Sequence, residues 1–144
     1  MEEPEVGLLV MDCSMIAAGM LPDEHDHYAD QVLDIAGISP QKIIVPSLFF
    51  SELNNVLLIS LRRKRISREI WLDLILLVEN LRFTVDMDSS SSSAVRRIAL
   101  LAVESGLSIY DATYLELALR RNARLATLDE QLKRAAQRYR VYYH

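Results

Sequence analysis

The chain has 144 residues, a formal net charge of −4, a hydrophobic content of 51% and one cysteine. These values predict a single domain, 1–144, with a sizeable core, and they disfavour a protein that binds nucleic acid through overall positive charge. No apolar run reaches the roughly 20 residues that span a bilayer, and the acidic N-terminus resembles neither a signal nor a transit peptide. The lone Cys13 excludes an intramolecular disulfide and fits a reducing compartment, so we expect a cytoplasmic protein without a membrane anchor.

The first half of the chain predicts two apolar strands, each followed by helices. A strand buried on both faces is predicted for VGLLVMD, which ends in Asp12. A short helix follows in CSMIAAGML, and PDEHDHYADQVLDIAG predicts a loop leading into a second helix. A second strand, KIIVP, ends at Pro46. Two longer helices are predicted next, in SLFFSELNNVLLISLRRKR and in SREIWLDLILLVENL, the latter capped at or beside Ser67.

The second half continues the alternation of strands and helices. A third short strand is predicted for RFTVD, and the serine run 89–93 predicts a turn before the helix AVRRIALLAVESG, which Gly106 ends. A helix headed by Asp111, a strand ARLATLD, a short helix EQLKRAAQR and a last strand YRVYY follow. Apolar strands that alternate with helices predict an α/β sandwich around a parallel sheet.

Four acidic residues are predicted to meet at one edge of that sheet. Asp12 and Asp129 lie at the carboxyl ends of strands, while Glu52 and Asp111 lie in the opening turns of helices that return from the same edge. Asp111 also shares a helical stripe with apolar Leu115, where an ionised carboxylate is costly without a partner. Because four carboxylates in a small space repel one another, we expect a divalent cation there, and oxygen ligands favour Mg²⁺ or Mn²⁺.

Helix capping offers a different explanation for each acid taken alone. Ser108 and Asp111 have the spacing of a variant capping box, and Thr127 and Glu130 have the usual spacing. Asp12 would similarly cap the helix that follows it, and an acid in a first turn is favoured by the helix dipole. Capping does not require all four acids at one sheet edge, so their joint placement favours the metal site.

Four segments also carry a resemblance to a known family: VMDCSM, VPSLFFSELNNVL, GLSIYDATYLELAL and LATLDEQL. In order and spacing they resemble the PIN-domain ribonucleases, most closely the VapC toxins of VapBC toxin–antitoxin pairs, over nearly the whole chain. The resemblance implies a PIN-like three-layer sandwich with a central, mainly parallel sheet flanked by helices. It implies catalytic and metal-binding roles for Asp12, Glu52, Asp111 and Asp129. It implies orienting roles, behind those ligands, for Ser14, Asn55 and Thr127.

The same resemblance implies an activity and partners. The activity is metal-dependent endonucleolytic hydrolysis of RNA, with Mg²⁺ or alternatively Mn²⁺ as the cofactor and tRNA or another structured RNA as the usual target. A cognate antitoxin would dock near the active-site groove, and the chain would form a homodimer or higher homo-oligomer. The apolar face of WLDLILLVENL is a candidate for part of either surface, or it is ordinary core.

A basic run at the junction of two predicted helices is the first candidate for RNA contacts. It consists of Arg62, Arg63, Lys64 and Arg65. A second candidate, nearer Asp129, consists of Arg120, Arg121, Arg124 and the segment 133–140. The alternative is a solvated helix end, where cations complement the helix dipole.

Two other functional classes share parts of this pattern. A phosphoryl-accepting receiver, or a phosphatase with an aspartate nucleophile, also has an acid after the first strand but needs a lysine at the end of the last core strand. Lys133 lies on a predicted helix instead. A non-catalytic PIN-like module that binds RNA or protein would keep the acids only as helix caps, and failure to bind Mn²⁺ would favour it.

Overall fold

The structure, a computed structural model, describes residues 7–144 and centres on a parallel sheet. Its strands are β1 (Leu9–Met11), β2 (Ile43–Pro46), β3 (Thr84–Asp86) and β4 (Arg124–Ala126). All four are parallel and lie in the order β3-β2-β1-β4. Val10 pairs with Ile44 on one side and with Leu125 on the other. The predicted parallel α/β sheet is confirmed, although Val6, in the predicted first strand, lies outside the described residues.

Helices pack around this sheet. Those described are α1 (Cys13–Met20), α2 (His27–Ile38), α3 (Leu48–Arg62), α4 (Arg68–Glu79), α5 (Val95–Ser105), α6 (Ile109–Arg120) and α7 (Glu130–Arg138). Ser67 and Ser108 cap α4 and α6 by accepting backbone N–H bonds of 3.2 Å and 3.1 Å. Gly106 ends α5 with a φ of 74°, which a residue without Cβ adopts freely. No helix within residues 7–144 is long and apolar enough to cross a bilayer.

The core explains the apolar runs seen in the sequence. The strands β1 and β2 are buried along their whole length because helices cover both faces of the sheet. Helix α6 is the most deeply buried helix, and Leu115, Leu117 and Ala118 on it are fully inaccessible to solvent. A cluster of buried apolar side chains from the strands and the helices therefore fixes the position of α6.

The predicted last strand YRVYY is wrong. Helix α7 extends to Arg138, and Arg140 adopts a φ of 60°, which interrupts any extended segment. Only Tyr142 pairs with the sheet, through a single parallel bridge to Leu125.

The order of the strands creates a crevice at one edge of the sheet. The chain adds β2 and β3 on one side of β1 and then returns to add β4 on the other side. Ligands of open α/β sheets bind where the winding direction reverses, beyond the carboxyl ends of the strands. In this fold the reversal lies between β1 and β4, the strands that precede Asp12 and Asp129.

Candidate active site

Asp12 is the most deeply buried of the four predicted acids, with only 6% of its surface exposed. Its carboxylate caps α1 by accepting the backbone N–H of Ser14 at 3.2 Å, and it also accepts the Ser14 and Thr127 hydroxyls, the latter at 2.6 Å. Burial raises the pKa of Asp12 to about 6; these hydrogen bonds oppose the rise, and the carboxylates of Asp111 and Asp129 add to it.

Two hydroxyl groups tie the end of β1 to the loop after β4. Thr127 donates its hydroxyl to Asp12 and accepts the backbone N–H of Asp129 at 3.0 Å. The Ser14 hydroxyl donates to Asp12 and accepts the backbone N–H of Leu128 at 3.0 Å. Both hydroxyls therefore fix the Asp12 carboxylate and hold the Asp129 backbone close to it.

The predicted capping box of Thr127 and Glu130 is wrong. Asp129 itself caps α7, because its carboxylate accepts the backbone N–H of Leu132 at 2.8 Å. Thr127 is instead turned inward, 1% exposed, and bonded to Asp12. The buried carboxylate of Asp12 needs hydrogen-bond donors more than the exposed start of α7 needs a second cap.

Asp111 lies in the first turn of α6, and its backbone N–H donates to Ser108. The side chain is half-buried. Burial raises the pKa of Asp111, and the negative charge of Asp129 raises it further. Asp12, Asp111 and Asp129 therefore lie near enough to one another at the crevice for their charges to interact.

Glu52 lies in the second turn of α3 and is held by a residue that the sequence did not single out. Tyr114, which is 1% exposed, donates its hydroxyl to the Glu52 carboxylate at 2.8 Å. The same hydroxyl lies 3.8 Å from the thiol of Cys13, which in turn donates to the carbonyl of Phe49. The pKa of Glu52 is raised by burial, against the Tyr114 hydrogen bond, and raised further by Asp111. The sequence did offer one signal for this contact. Tyr114 lies on an apolar helix, and a tyrosine hydroxyl that is buried needs a hydrogen-bond partner.

The four acids differ from the buried Asp86 and Glu116 in having no cationic partner within residues 7–144, although of the four only Asp12 is itself buried. None of Asp12, Glu52, Asp111 and Asp129 takes part in a salt bridge within residues 7–144. Their all-oxygen, uncompensated donor set fits a hard divalent cation. As the side chains stand, however, no three or more acidic, histidine or cysteine residues of this part of the chain are arranged to hold a metal ion. A cation would have to draw the mutually repelling carboxylates together.

A further acid at the same sheet edge shows the contrast. Asp86 ends β3 and is 5% exposed, yet Arg120 contacts it at 2.7 Å. Arg120 also contacts the buried Glu116 at 2.8 Å, and Arg97 contacts Glu116 at 3.1 Å. Burial alone would raise the pKa of Asp86, but hydrogen bonds from Arg120 and Ser89 hold it below its ordinary value. Sequence reasoning missed this network because its members come from β3, α5 and α6.

Two other sets of predicted residues lie away from the acids. Asn55 is exposed, and no hydrogen bond within residues 7–144 joins its amide to the acids. The basic run lies at and beyond the end of α3, where Arg62, Arg63 and Lys64 are exposed. Arg65 is already engaged by Asp23 and Glu24, at 2.8 Å and 2.7 Å.

Comparison with known proteins identifies the family. A model of the PIN domain matches residues 9–138, so the chain belongs to the PIN-domain family, whose members are typically nucleases. The fold is similar to the crystal structure of PAE2754 from Pyrobaculum aerophilum, with a TM-score of 0.65 and 20% identity over 92% of this chain and 87% of that chain. It is also similar to that of FitAcB from Neisseria gonorrhoeae, with a TM-score of 0.63 and 16% identity over 90% of this chain and 94% of that chain. A search of curated proteins gave no match.

Proposed function

We propose that this chain is a Mg²⁺- or Mn²⁺-dependent endoribonuclease that acts in the cytoplasm. The observation that carries the proposal is the contrast between the buried Asp86 and Glu116 and the four acids at the crevice, of which Asp12 is buried, Glu52 and Asp111 are half-buried and Asp129 is exposed. Asp86 and Glu116 are neutralised by arginines, whereas the four acids at the crevice have no cation within residues 7–144. Membership of the PIN-domain family supports a nuclease.

The chain's own residues supply the framework for hydrolysis. Ser14 and Thr127 orient the Asp12 carboxylate, and its Oδ2, which accepts one hydrogen bond, keeps a lone pair for a ligand. Asp111 and Asp129 supply further oxygens across the crevice. Glu52 either adds another ligand or accepts a proton from the attacking water. When bound, a divalent cation supplies positive charge that activates water and stabilises the phosphoryl oxygens.

The proposal extends to a role as the toxin of a type II toxin–antitoxin pair, with a cognate antitoxin as its inhibitor. Motif resemblance to VapC toxins supports this role. We further propose a homo-oligomer that uses α4, because Leu72, Leu76 and Leu77 remain exposed there while Leu74 and Val78 enter the core. Equilibrium sedimentation measures the assembly state directly.

Metal removal tests the activity. We expect the purified chain to cleave a panel of tRNAs and synthetic RNAs with Mg²⁺ or Mn²⁺, and to lose that cleavage in EDTA. Calorimetry with Mn²⁺ in the absence of RNA provides a second readout. Absence of both Mn²⁺ binding and cleavage would contradict the proposal and favour a non-catalytic RNA- or protein-binding module, in which the acids serve only as helix caps.

The Tyr114 hydroxyl gives a more specific prediction. Replacing Tyr114 with Phe removes the donor to Glu52 but keeps the buried ring, so the fold should persist. Loss of a group that orients a ligand typically lowers metal affinity or activity about 10- to 100-fold, and we expect kcat, rather than KM, to carry the loss. The matched control is Tyr110→Phe, since Tyr110 is exposed on the same helix. Equal kinetics for the two variants would show that the contact to Glu52 is unimportant.

A further inference from the structure

A cavity with a basic wall lies between α7 and the turn that joins α5 to α6. Its volume is about 240 Å³, and its lining includes Gly106, Leu107, Gln131, Arg134 and Arg138. Helix α7 begins directly after Asp129, and Asp111 lies in the first turn of α6 just beyond Leu107. Both walls of the cavity therefore continue from segments that carry the proposed ligands.

The two arginines of this cavity are exposed neighbours on α7, and Glu130 lies four residues before Arg134 on the same helix. Arg134 and Arg138 are four residues apart on α7, the spacing at which side chains are neighbours and like charges destabilise a helix. Neither makes a salt bridge within residues 7–144. An anion bound between them would relieve this repulsion.

Arg138 is already held in place without being neutralised. Its guanidinium donates to the backbone carbonyl of Glu104 at 2.9 Å and lies 5.2 Å from the centre of the Tyr139 ring. These contacts orient the planar group, and neither of them is an ion pair; the Glu104 carboxylate instead accepts the Tyr139 hydroxyl at 3.5 Å. A fixed guanidinium can present paired N–H donors to a phosphate with little further loss of conformational freedom.

We propose that this cavity binds a phosphate of the RNA strand adjacent to the bond that is cleaved, with Arg134 and Arg138 as its ligands. The assignment rests on the proposed ribonuclease function. A volume below the roughly 300 Å³ of small-molecule pockets suits one backbone group rather than a free nucleotide. An anionic strand that approaches four carboxylates needs compensating positive charge close by, and this wall provides it.

Position favours α7 over the basic run at the end of α3. Arg134 lies five residues beyond Asp129, a helical rise of about 7–8 Å. Arg62 lies ten residues beyond Glu52, a rise of about 15 Å. Arg134 is thus closer along its helix to a proposed ligand than Arg62 is.

RNA binding at several salt concentrations tests the assignment. The full chain with Asp12→Asn, which silences cleavage, is compared with the same chain carrying Arg134→Ala, using a fluorescent single-stranded RNA. Losing one phosphate contact should reduce the slope of log K against log salt by about 0.7, which corresponds to about fivefold weaker binding at 0.1 M salt. Arg96→Ala is the matched control, because it removes one exposed positive charge at the start of α5 that takes part in no salt bridge within residues 7–144. We expect it to change neither value.

The outcomes distinguish failure of the phosphate site from failure of the proposed ribonuclease function. If the wild-type chain cleaves RNA but Arg134→Ala and Arg96→Ala bind RNA equally well, the phosphate assignment is overturned and the nuclease stands. If the wild-type chain neither binds nor cleaves RNA, both proposals fall. Arg134→Lys, which keeps the charge but not the planar fork, should recover only part of the affinity.

Discussion

Replacing Asp12 with Asn is expected to abolish metal-dependent RNA cleavage and, at the same time, to stabilise the metal-free protein. Loss of an outer group that supports a metal ligand costs about 10- to 100-fold in activity, and loss of the ligand itself should exceed that. Asp111→Asn should have a comparable effect on cleavage, since its charge interacts with that of Asp12 at the crevice. Retained cleavage in both variants would contradict the proposed site.

The gain in stability follows from the shifted pKa of Asp12. The pKa of this carboxyl rises from an ordinary value of 3.8 to about 6, mainly because the group is buried. Such a shift corresponds to a destabilisation of about 3 kcal/mol at neutral pH. Asn removes the charge but cannot accept both hydroxyl bonds, a loss of about 1 kcal/mol. We therefore expect the free energy of unfolding of Asp12→Asn to exceed that of wild type by about 1–2 kcal/mol at pH 7.5 in EDTA.

The dependence on pH has a definite sign. A raised folded pKa means that the native state binds more protons than the unfolded state between pH 3.8 and about 6. Wild-type stability in EDTA should therefore fall as pH rises through this window, and the advantage of Asp12→Asn should shrink toward pH 4. Urea unfolding at pH 4.5, 6 and 7.5 measures this difference. An advantage independent of pH would mean that the Asp12 charge is not its source.

Two comparisons test whether the change in stability comes from the Asp12 charge at the crevice. Asp73→Asn removes an exposed carboxylate of α4 and should leave stability nearly unchanged. Addition of Mn²⁺ should stabilise the wild type at pH 7.5, because a ligand that binds only the native state stabilises it, and should stabilise Asp12→Asn much less. The negative charge of Asp12 is thus needed to bind the metal ion, but it destabilises the metal-free fold.

Replacing Arg120 with Ala is expected to give a large loss of stability without removing any proposed ligand. Arg120 contacts both Asp86 and Glu116, which are 5% and 7% exposed in their side chains. Removing one partner of a buried pair costs about 3–5 kcal/mol; since Arg120 is itself one-quarter exposed and Arg97 still contacts Glu116, we expect about 2–3 kcal/mol. Chemical denaturation measures the loss.

Two measurements check this prediction: the stability of a variant of the neighbouring Arg121, and the dependence of stability on pH. Arg121→Ala should cost much less, because Arg121 approaches Asp86 only to 3.9 Å and is more exposed. Wild-type Asp86 has a lowered pKa, so its stabilising contribution is present above the ordinary value of 3.8 and is lost as pH falls through the folded pKa. The gap between wild type and Arg120→Ala should therefore narrow in acid. A constant gap would indicate lost packing of the Arg120 side chain instead.

The amino-acid sequence by itself determined the order of strands and helices, the parallel sheet and the segments that place four acids at one edge. These features depend on local periodicity, on caps such as Ser67 and Ser108 and on a stop such as Gly106. Short-range signals of this kind act within a few residues, so they can be seen without the fold. The same signals failed for YRVYY, where a positive φ interrupts a segment of strand-forming residues.

Tertiary structure alone decided which side chains contact one another at the crevice. Tyr114 reaches Glu52 across 62 residues of sequence, and Thr127 reaches Asp12 across 115. Each contact forms because packing leaves a buried polar group that must find a partner, and no local pattern encodes that partner. The difference between the neutralised Asp86 and the unneutralised acids beside it likewise depends on where α6 packs against the sheet, because this packing brings Arg120 to one carboxylate and not to the others.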